Sequence, residues 1–231
     1  MSTTPVLCYW DIHGLAQPAR LLLTYTGTEF EDKKLSCGPT PDFDKSCWID
    51  NKFSLGLDFP FLPYYIDGDM KITHSNAILR HIARKHDLVG KTDKEKVMAD
   101  MMADQAIDFR NGWVRLCNNS NFENVKDDYL KTLPKTLQMF SDFLGSKSWF
   151  AGDSLTYVDF HMYELLDQHK QLMPNCMNEL ENMTSFMLRF ESLPKIAEYM
   201  KSDKFIKASV SVVGLSSGMK ALQKPSEGGQ V

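Results

Sequence analysis

The chain has 231 residues, of which 43% are hydrophobic and 24% are charged, and its formal net charge is −4. This length can bury a sizeable core, either in one large domain or in two small ones. The mild acidity gives no support for binding to nucleic acid or to an anionic membrane. The sequence has no run of 18 apolar residues and no visible signal peptide, so we expect neither a membrane span nor secretion.

Five cysteines occur, which is an odd number, and no two of them form a Cys-x-x-Cys pair. They are Cys8, Cys37, Cys47, Cys117 and Cys176. Disulfides are rare in the reducing cytosol, and zinc sites need clustered ligands. We therefore interpret the five as reduced thiols of a cytoplasmic protein and predict neither a disulfide framework nor a metal site.

The first 86 residues predict an α/β domain in the order strand, helix, strand, hairpin and helix. Gly27 is a typical helix stop, and Asp67-Gly68 is a typical hairpin turn. Ser75 stands where a helix N-cap is expected. The predicted elements are strands at 5–9 and 30–35, helices at 15–26 and from 75 to about 86, a Pro/Gly-rich loop at 36–44, a short helix near Trp48 and a hairpin around 67–68.

The rest of the chain predicts a linker at 87–92, an all-helical domain at 93–205 and an irregular tail at 206–231. Thr92 with Glu95, and Thr156 with Asp159, match the capping box that begins a helix. In the first long helix we expect one buried stripe, made of Val97, Met101, Phe109, Trp113 and Leu116. Further helices are predicted at about 123–144, from 157 through a stretch to 166 that is apolar nearly all round, at 182–191 and at 194–201.

Short motifs along the chain resemble those of mu-class glutathione transferases. The first is Tyr9-Trp10-Asp11-Ile12-His13-Gly14-Leu15, and others lie at 44–48, 52–60, 75–79, 149–152, 158–160 and 199–202. They follow in order from residue 5 to about 205. The resemblance implies a thioredoxin-like α/β N-terminal domain, without the redox cysteine pair, and an all-α C-terminal domain, which is the architecture of cytosolic glutathione transferases. Residues 64–71 resemble mite members of the class, some of which are allergens.

The resemblance also implies a function in detoxification. A dimeric, cytoplasmic glutathione transferase adds the glutathione thiolate to small hydrophobic electrophiles, so glutathione is a co-substrate and no cofactor is expected. A free thiol, with a pKa of about 8.5, is only a few per cent ionised at neutral pH, and a tyrosine hydroxyl can stabilise the thiolate by donating a hydrogen bond. The family's catalytic tyrosine falls on Tyr9. Cys8 is a rival nucleophile, but strand alternation turns it away from Tyr9.

The resemblance implies a glutathione site in which different residues bind the two ends of the tripeptide. Its residues are Tyr9, Trp10, Leu15, Lys45, Trp48, Lys52, Phe61, Leu62, Pro63, His74, Ser75 and Asp108. Leu62 precedes the family's cis-proline and pairs with the cysteinyl unit, while Ser75 at a helix N-terminus receives the γ-glutamyl carboxylate. Trp48 and Lys52 take the glycyl end. Asp108 reaches the γ-glutamyl amine in the neighbouring subunit.

The electrophile pocket is expected between the turn after the first strand and the long helix, with the tail covering it. Its residues are Trp10, Ile12, Leu15, Arg110, Val114, Asn118 and Ser211. At the dimer contact, Phe59 resembles the hydrophobic key that inserts into the partner. Arg80 lies where the twofold axis is lined.

Four residues depart from the mu-class pattern. His74 replaces a glutamine, Phe61 an asparagine, Lys45 an arginine, and Asn118 a second tyrosine that assists some electrophile reactions. These departures leave open a second function, a non-catalytic carrier of apolar ligands on the same fold. A thiol–disulfide oxidoreductase is a third hypothesis, which we discount because residues 10–15 contain no cysteine at the start of the first helix.

Overall fold

A four-stranded mixed sheet organises the first half of the chain. A computed structural model describes residues 4–38 and 44–206. The strands are β1 (Val6–Trp10), β2 (Glu31–Leu35), β3 (Tyr64–Asp67) and β4 (Met70–Thr73), in the order β2-β1-β3-β4. β1 runs parallel to β2 and antiparallel to β3, and β3 and β4 form the predicted hairpin. β1 is therefore a central strand, and its three middle residues are buried.

Helices accompany this sheet at the expected places. They are α1 (Gln17–Thr26), α2 (Ser46–Ile49) and α3 (Ser75–Lys85), with a 3₁₀ turn at Lys52–Ser54. Gly27 ends α1 in the left-handed conformation, with φ +72°, as predicted. The expectation that Ser75 caps α3 is wrong, because His74 is the N-cap residue and Ser75 is already helical. No side chain caps this helix end, which leaves its first N–H groups available to a ligand.

The second half of the described chain is helical. Its elements are α4 (Asp93–Cys117), α5 (Phe122–Leu144), α6 (Tyr157–Leu172), α7 (Glu181–Glu191) and α8 (Pro194–Lys201). Both predicted capping boxes form at α4 and α6. α6 is the central helix, since residues 157–166 are all buried and the helix packs on both α1 and α4. Within the described residues, no helix combines the length and apolarity needed to cross a bilayer.

The buried face of α4 differs from the predicted stripe at its N-terminal end. Phe109, Trp113 and Leu116 are buried as expected, but Val97 is 60% exposed and Met101 is 48% exposed. The residues that face the core in this half of the helix are Ala99, Met102, Ala103 and Ala106. Alanine side chains allow α4 and α6 to approach closely, and a pattern search for large apolar residues overlooks them. Met101, which was expected in the buried stripe, instead lines an open groove between α4 and α5.

The loop before α6 is fastened by one buried carboxylate. The Asp159 side chain is fully buried and accepts hydrogen bonds from the backbone N–H of Phe150, at 2.8 Å, and of Thr156, at 2.7 Å. The Thr156 hydroxyl donates a third bond at 3.0 Å. Burial raises the pKa of Asp159 to about 7, and these hydrogen bonds oppose that rise. Because the donors come from both the loop and the helix start, the two depend on each other.

We predict that Asp159→Ala destabilises the protein by about 2–4 kcal/mol, because two buried N–H groups lose their acceptor together with the helix cap. The exposed Asp153 in the same loop makes no hydrogen bond to another described residue, so Asp153→Ala is the matched control and changes stability by less than about 0.5 kcal/mol. Urea unfolding at neutral pH measures both. Equal losses in the two variants would contradict the assigned role.

Candidate active site

Tyr9 lies near the end of β1, where it is paired with Lys34 of β2 and is only 8% exposed. Its ring packs directly on the backbone of Gly14, in the turn before α1. A Cβ atom built on Gly14 would lie 2.5 Å from the Tyr9 Cε1 atom and 2.8 Å from its hydroxyl oxygen. Gly14 also has φ +47°, a conformation that other residues rarely adopt. The turn thus fixes the direction of the Tyr9 hydroxyl from one side.

The same turn is also held in place by Arg20, a fully buried residue of α1. Its Nη1 donates to the Ile12 carbonyl oxygen at 2.7 Å, and its Nε donates to both carboxylate oxygens of Asp32 at 3.0 and 3.1 Å. The guanidinium therefore joins the turn after β1 to the neighbouring strand β2. Sequence analysis missed Arg20. An arginine within the apolar stretch of a predicted helix was a signal, because a charge there needs a buried partner.

A second arginine reaches Tyr9 from the helical domain. The side chain of Arg110, on α4, lies close enough to the Tyr9 side chain for the two to interact. Burial lowers the pKa of Arg110, and the nearby Tyr9 and Glu164 oppose that change. A guanidinium only donates hydrogen bonds, so Arg110 cannot accept one from the Tyr9 hydroxyl. The Tyr9 O–H is consequently left to donate to a ligand.

Arg110, the cation near Tyr9, has an uncharged neighbour in His161. His161 is buried in α6, and its Nδ1 atom has no hydrogen-bond partner among the described residues. Burial, with the charge of Arg110 as a smaller cause, lowers the pKa of His161 to about 3. His161 is therefore uncharged at neutral pH, and Arg110 supplies the positive charge next to the Tyr9 oxygen.

His13 ties the turn after β1 to the helical domain. Its Nδ1 contacts the Glu164 carboxylate at 2.9 Å, and its Nε2 contacts the Ile206 carbonyl oxygen. Both partners are acceptors, so both ring nitrogens donate and the imidazole is charged. Burial lowers the pKa of His13, but the Glu164 carboxylate outweighs burial and the net pKa is raised. The tie brings the last described residues of the chain onto the candidate site.

The expected tripeptide-binding segment lies at the start of β3 and α3. The Leu62–Pro63 peptide bond is cis, as the resemblance implied. His74 has φ +66° and ψ +116°, an uncommon conformation for a residue other than glycine. Its ring lies 5.7 Å from that of Phe61, between ring centroids, so two of the departures from the mu pattern contact each other. Ser75 follows as the first residue of α3.

The two lysines and the tryptophan expected at the glycyl end lie on the segment between β2 and β3. Lys45 is the N-cap residue of α2, and Trp48 is within that helix. The Trp48 ring stacks on that of Tyr64, with centroids 6.1 Å apart. The Lys52 ammonium lies 4.9 Å from the Phe53 ring centroid. All three predicted binding residues are half-buried, so each keeps surface that a ligand can contact.

The other predicted residues differ in how exposed they are. Ile12 is buried, while Trp10, Leu15, Leu62 and Val114 are half-buried. Asp108 and Asn118 are exposed on α4 and at its C-terminal cap. Ser211, with most of the tail expected to cover the pocket, lies outside the described residues.

We predict that Gly14→Ala lowers glutathione-dependent turnover at least tenfold, because the new methyl group must displace the Tyr9 ring. Gly68→Ala is the matched control, since Gly68 has φ +61° but nothing within 4 Å of an added Cβ. Both variants lose about 1 kcal/mol or more of stability from backbone strain, whereas only Gly14→Ala loses activity. Initial rates and thermal unfolding of the two proteins measure this. Equal activity would show that the turn does not position Tyr9.

Sequence comparisons cover both halves of the chain. Residues 5–84 match the family model of the glutathione S-transferase N-terminal domain, and residues 107–203 match that of the C-terminal domain. Glutathione S-transferase Mu 5 of Mus musculus is 53% identical over 210 residues, which are 91% of this chain and 94% of that protein. Glutathione S-transferase Mu 3 of Homo sapiens is 52% identical over 206 residues, or 89% of this chain and 92% of that protein.

Solved structures show the same relationship. The glutathione S-transferase Blo t 8 matches with a TM-score of 0.83 at 33% identity, over 90% of this chain and 98% of that one. The Pi-class glutathione S-transferase of Onchocerca volvulus matches with a TM-score of 0.81 at 31% identity, over 92% and 99% of the two chains. The relatives span nearly the whole described structure, including the turn that carries Tyr9. The chain belongs to the glutathione S-transferase family and has mu-class members among its relatives.

Proposed function

We propose that this protein is a mu-class enzyme that joins the thiolate of glutathione to small hydrophobic electrophiles, and so detoxifies them. One observation carries the proposal. The Tyr9 side chain packs on Gly14 at the end of a central strand, and the charged group beside it is Arg110, which can only donate, so the Tyr9 proton remains available to a thiolate. The 52–53% identity to mu-class transferases over about nine-tenths of the chain supports the class and the reaction.

The energy that this arrangement must supply is modest. Lowering the pKa of a thiol by about two units needs roughly 2.7 kcal/mol of preferential stabilisation of the anion. A hydrogen bond to a charged acceptor contributes about 1.5–3 kcal/mol. The Tyr9 hydroxyl can therefore account for most of the requirement. Arg110 adds a positive charge beyond the Tyr9 oxygen, in a partly buried setting where charges interact more strongly than in water.

We place glutathione across the segment between Trp48 and Ser75. The γ-glutamyl carboxylate lies at the uncapped N-terminus of α3, where free N–H groups and the helix dipole favour an anion. The cysteinyl unit pairs with the Leu62 backbone, and the glycyl carboxylate meets Lys45 and Lys52. His74 and Phe61 flank the γ-glutamyl group in place of the amide side chains of the mu pattern. Asp108 contributes to the same group from the neighbouring subunit.

The electrophile then binds between the two domains. We propose that Trp10, Ile12, Leu15, Arg110 and Val114 line this pocket, with Asn118 at its rim and Ser211 from the tail. Asn118 cannot act as a phenolic acid, so we expect little assistance to epoxide or enone addition. Activated aryl halides, which need only the thiolate, are the better substrates. The carrier hypothesis is not favoured, because the mu-class relatives at 52–53% identity are named as transferases.

We also propose a cytoplasmic homodimer. All five cysteines are free thiols, which suits a reducing compartment. Phe59 is 63% exposed, and α4 and α5 enclose an apolar groove of about 190 Å³ lined by Met101, Met139 and Phe143. A cavity of roughly 150 Å³ accommodates a benzene ring, so the groove can take Phe59 of a second copy. In a twofold dimer each subunit gives one key and receives one.

Arg80 stands beside this groove as the second dimer residue. It donates to Asp100 at 3.0 Å and lies 3.7 Å from Asp104, so its charge is already compensated within the subunit.

The resemblance of residues 64–71 to mite proteins, together with the structural likeness to Blo t 8, leads us to propose a mite transferase and an allergen.

We predict that Tyr9→Phe lowers kcat/KM for an activated aryl chloride about 100-fold, because the hydrogen bond to the thiolate is lost. Glutathione affinity changes less than about threefold, since the tripeptide contacts remain. Tyr25→Phe, which removes the hydroxyl of a half-buried tyrosine in α1, is the control and retains activity. Initial rates and calorimetric glutathione binding separate the two effects. Saturable binding without turnover in the native protein would instead establish the carrier.

We predict that Phe59→Ala weakens the dimer at least 100-fold, because each of the two symmetric keys buries an aromatic side chain worth roughly 1.5–3 kcal/mol. Phe53→Ala is the control, since Phe53 is 78% exposed and lies outside the proposed contact. Sedimentation velocity over a dilution series measures the dissociation constants. A native monomer, or equal effects of the two substitutions, would rule out this interface.

A further inference from the structure

Two cysteines lie near each other where the end of β2 approaches α2. Cys47 is an exposed residue of α2, and Cys37 is half-buried just after β2. The Cys47 thiol donates a hydrogen bond to the Ser36 carbonyl oxygen, with the sulfur 3.5 Å from that oxygen. On the other side of Cys37, the Gly38 N–H donates to the Asp44 carbonyl oxygen at 2.8 Å. Cys37 is therefore flanked by two contacts to the segment that carries Cys47.

These contacts bring the two thiols within reach of each other. Standard peptide geometry puts the Cys37 Cα within roughly 6 Å of the Cys47 sulfur. The charge of the Cys47 thiolate also acts on Cys37, where it raises the pKa. A disulfide needs Cα atoms about 4.4–6.8 Å apart. Reaching that separation requires α2 to move towards Cys37, and the helix can move because it has no buried residue.

The remaining cysteines are poor candidates for the same chemistry. Cys8 and Cys117 are buried, and burial raises the pKa of both thiols, that of Cys117 to about 12. Cys176 is half-buried, and burial raises its pKa as well. Buried thiols such as Cys8 and Cys117 are inert in exchange because only the thiolate attacks, and Cys176 has no second cysteine among the groups that influence its pKa. Among the five, Cys47 is the only one classed as exposed, and Cys37 is beside it.

We infer that Cys37 and Cys47 form a reversible disulfide by exchange with glutathione disulfide, and that this bond weakens glutathione binding. The second part of the inference rests on the proposed function. Cys47 is the attacking residue because it is exposed. Cys37 is the resolving residue because it follows Ser36, whose carbonyl oxygen the Cys47 thiol contacts; burial raises the pKa of Cys37, and the nearby Lys45 ammonium opposes that change.

The exchange balances without another oxidant. The Cys47 thiolate attacks one sulfur of glutathione disulfide, forms a mixed disulfide and releases one glutathione thiolate. The Cys37 thiolate then attacks the Cys47 sulfur, forms the internal disulfide and releases the second glutathione thiolate. The two protons lost by the cysteines go to the two leaving thiolates. The protein is thus oxidised by two electrons, and one glutathione disulfide is reduced to two glutathione molecules.

The consequence for binding follows from the position of the pair. Lys45 and Trp48, both proposed to hold the glycyl end of glutathione, are within two residues of Cys47. Forming the disulfide moves the Cys47 sulfur off the Ser36 carbonyl and turns α2 with it. That movement shifts the Lys45 ammonium and the stacking of Trp48 on Tyr64.

Intact-mass analysis after incubation with glutathione disulfide and alkylation of remaining thiols tests the bond itself. We expect the native protein to yield the internal disulfide, lighter by two hydrogen atoms before alkylation. Cys37→Ser stops at the mixed disulfide on Cys47, whereas Cys47→Ser leaves Cys37 reduced. Cys176→Ser is the control and reacts like the native protein. Identical products from the native protein and Cys37→Ser would overturn the inference, as would an unreacted native protein.

Kinetics test the effect on the site. In the oxidised native protein we expect KM for glutathione to rise roughly tenfold, as for loss of one charged contact, and dithiothreitol to restore it. The double variant C37S/C47S is insensitive to glutathione disulfide. An internal disulfide with an unchanged KM would overturn the effect on binding. If the protein proves inactive as a transferase, the mass result still decides whether the disulfide forms, so the two failures are distinguishable.

Discussion

A buried guanidinium holds the turn on which the candidate active site is built. Arg20 is fully enclosed, and its guanidinium donates hydrogen bonds to Asp32 and to the Ile12 carbonyl oxygen. Removing either partner would leave an uncompensated charge in the core, which is among the costliest defects a fold can carry. The turn therefore has one stable position. That position sets Gly14 against Tyr9, and the direction of the Tyr9 hydroxyl follows from it.

The site is complete only when the two domains are packed together. The sheet contributes Tyr9, and the helical domain contributes Arg110, whose positive charge lies close to Tyr9. His13 joins the same turn to Glu164 on α6. Because α6 is buried along most of its length, these polar contacts lie within a rigid apolar frame. A frame of this kind keeps the phenolic proton directed at one point, which is what a thiolate-stabilising site requires.

The sequence predicted the elements well, because their signals are local. Gly27 as a helix stop and both capping boxes need only neighbouring residues to be recognised. The wrong expectations concerned Ser75, whose role depends on the conformation of the preceding residue, and the exposed end of α4. The contact of His13 with Glu164 joins residues 151 positions apart. No local sequence pattern around either residue indicates that the two meet. The family resemblance implied that Tyr9 is the catalytic tyrosine, but only the folded structure shows which groups surround its side chain.

The pKa of the thiol of bound glutathione tests this account most directly. It can be followed through the ultraviolet absorbance of the thiolate, with the native protein, Tyr9→Phe and Tyr25→Phe titrated in parallel. The account predicts a thiol pKa about two units below the free value of roughly 8.5 in the native protein and in Tyr25→Phe. It predicts a return towards the free value in Tyr9→Phe. A native pKa near that of free glutathione, or one that Tyr9→Phe leaves unchanged, would contradict it.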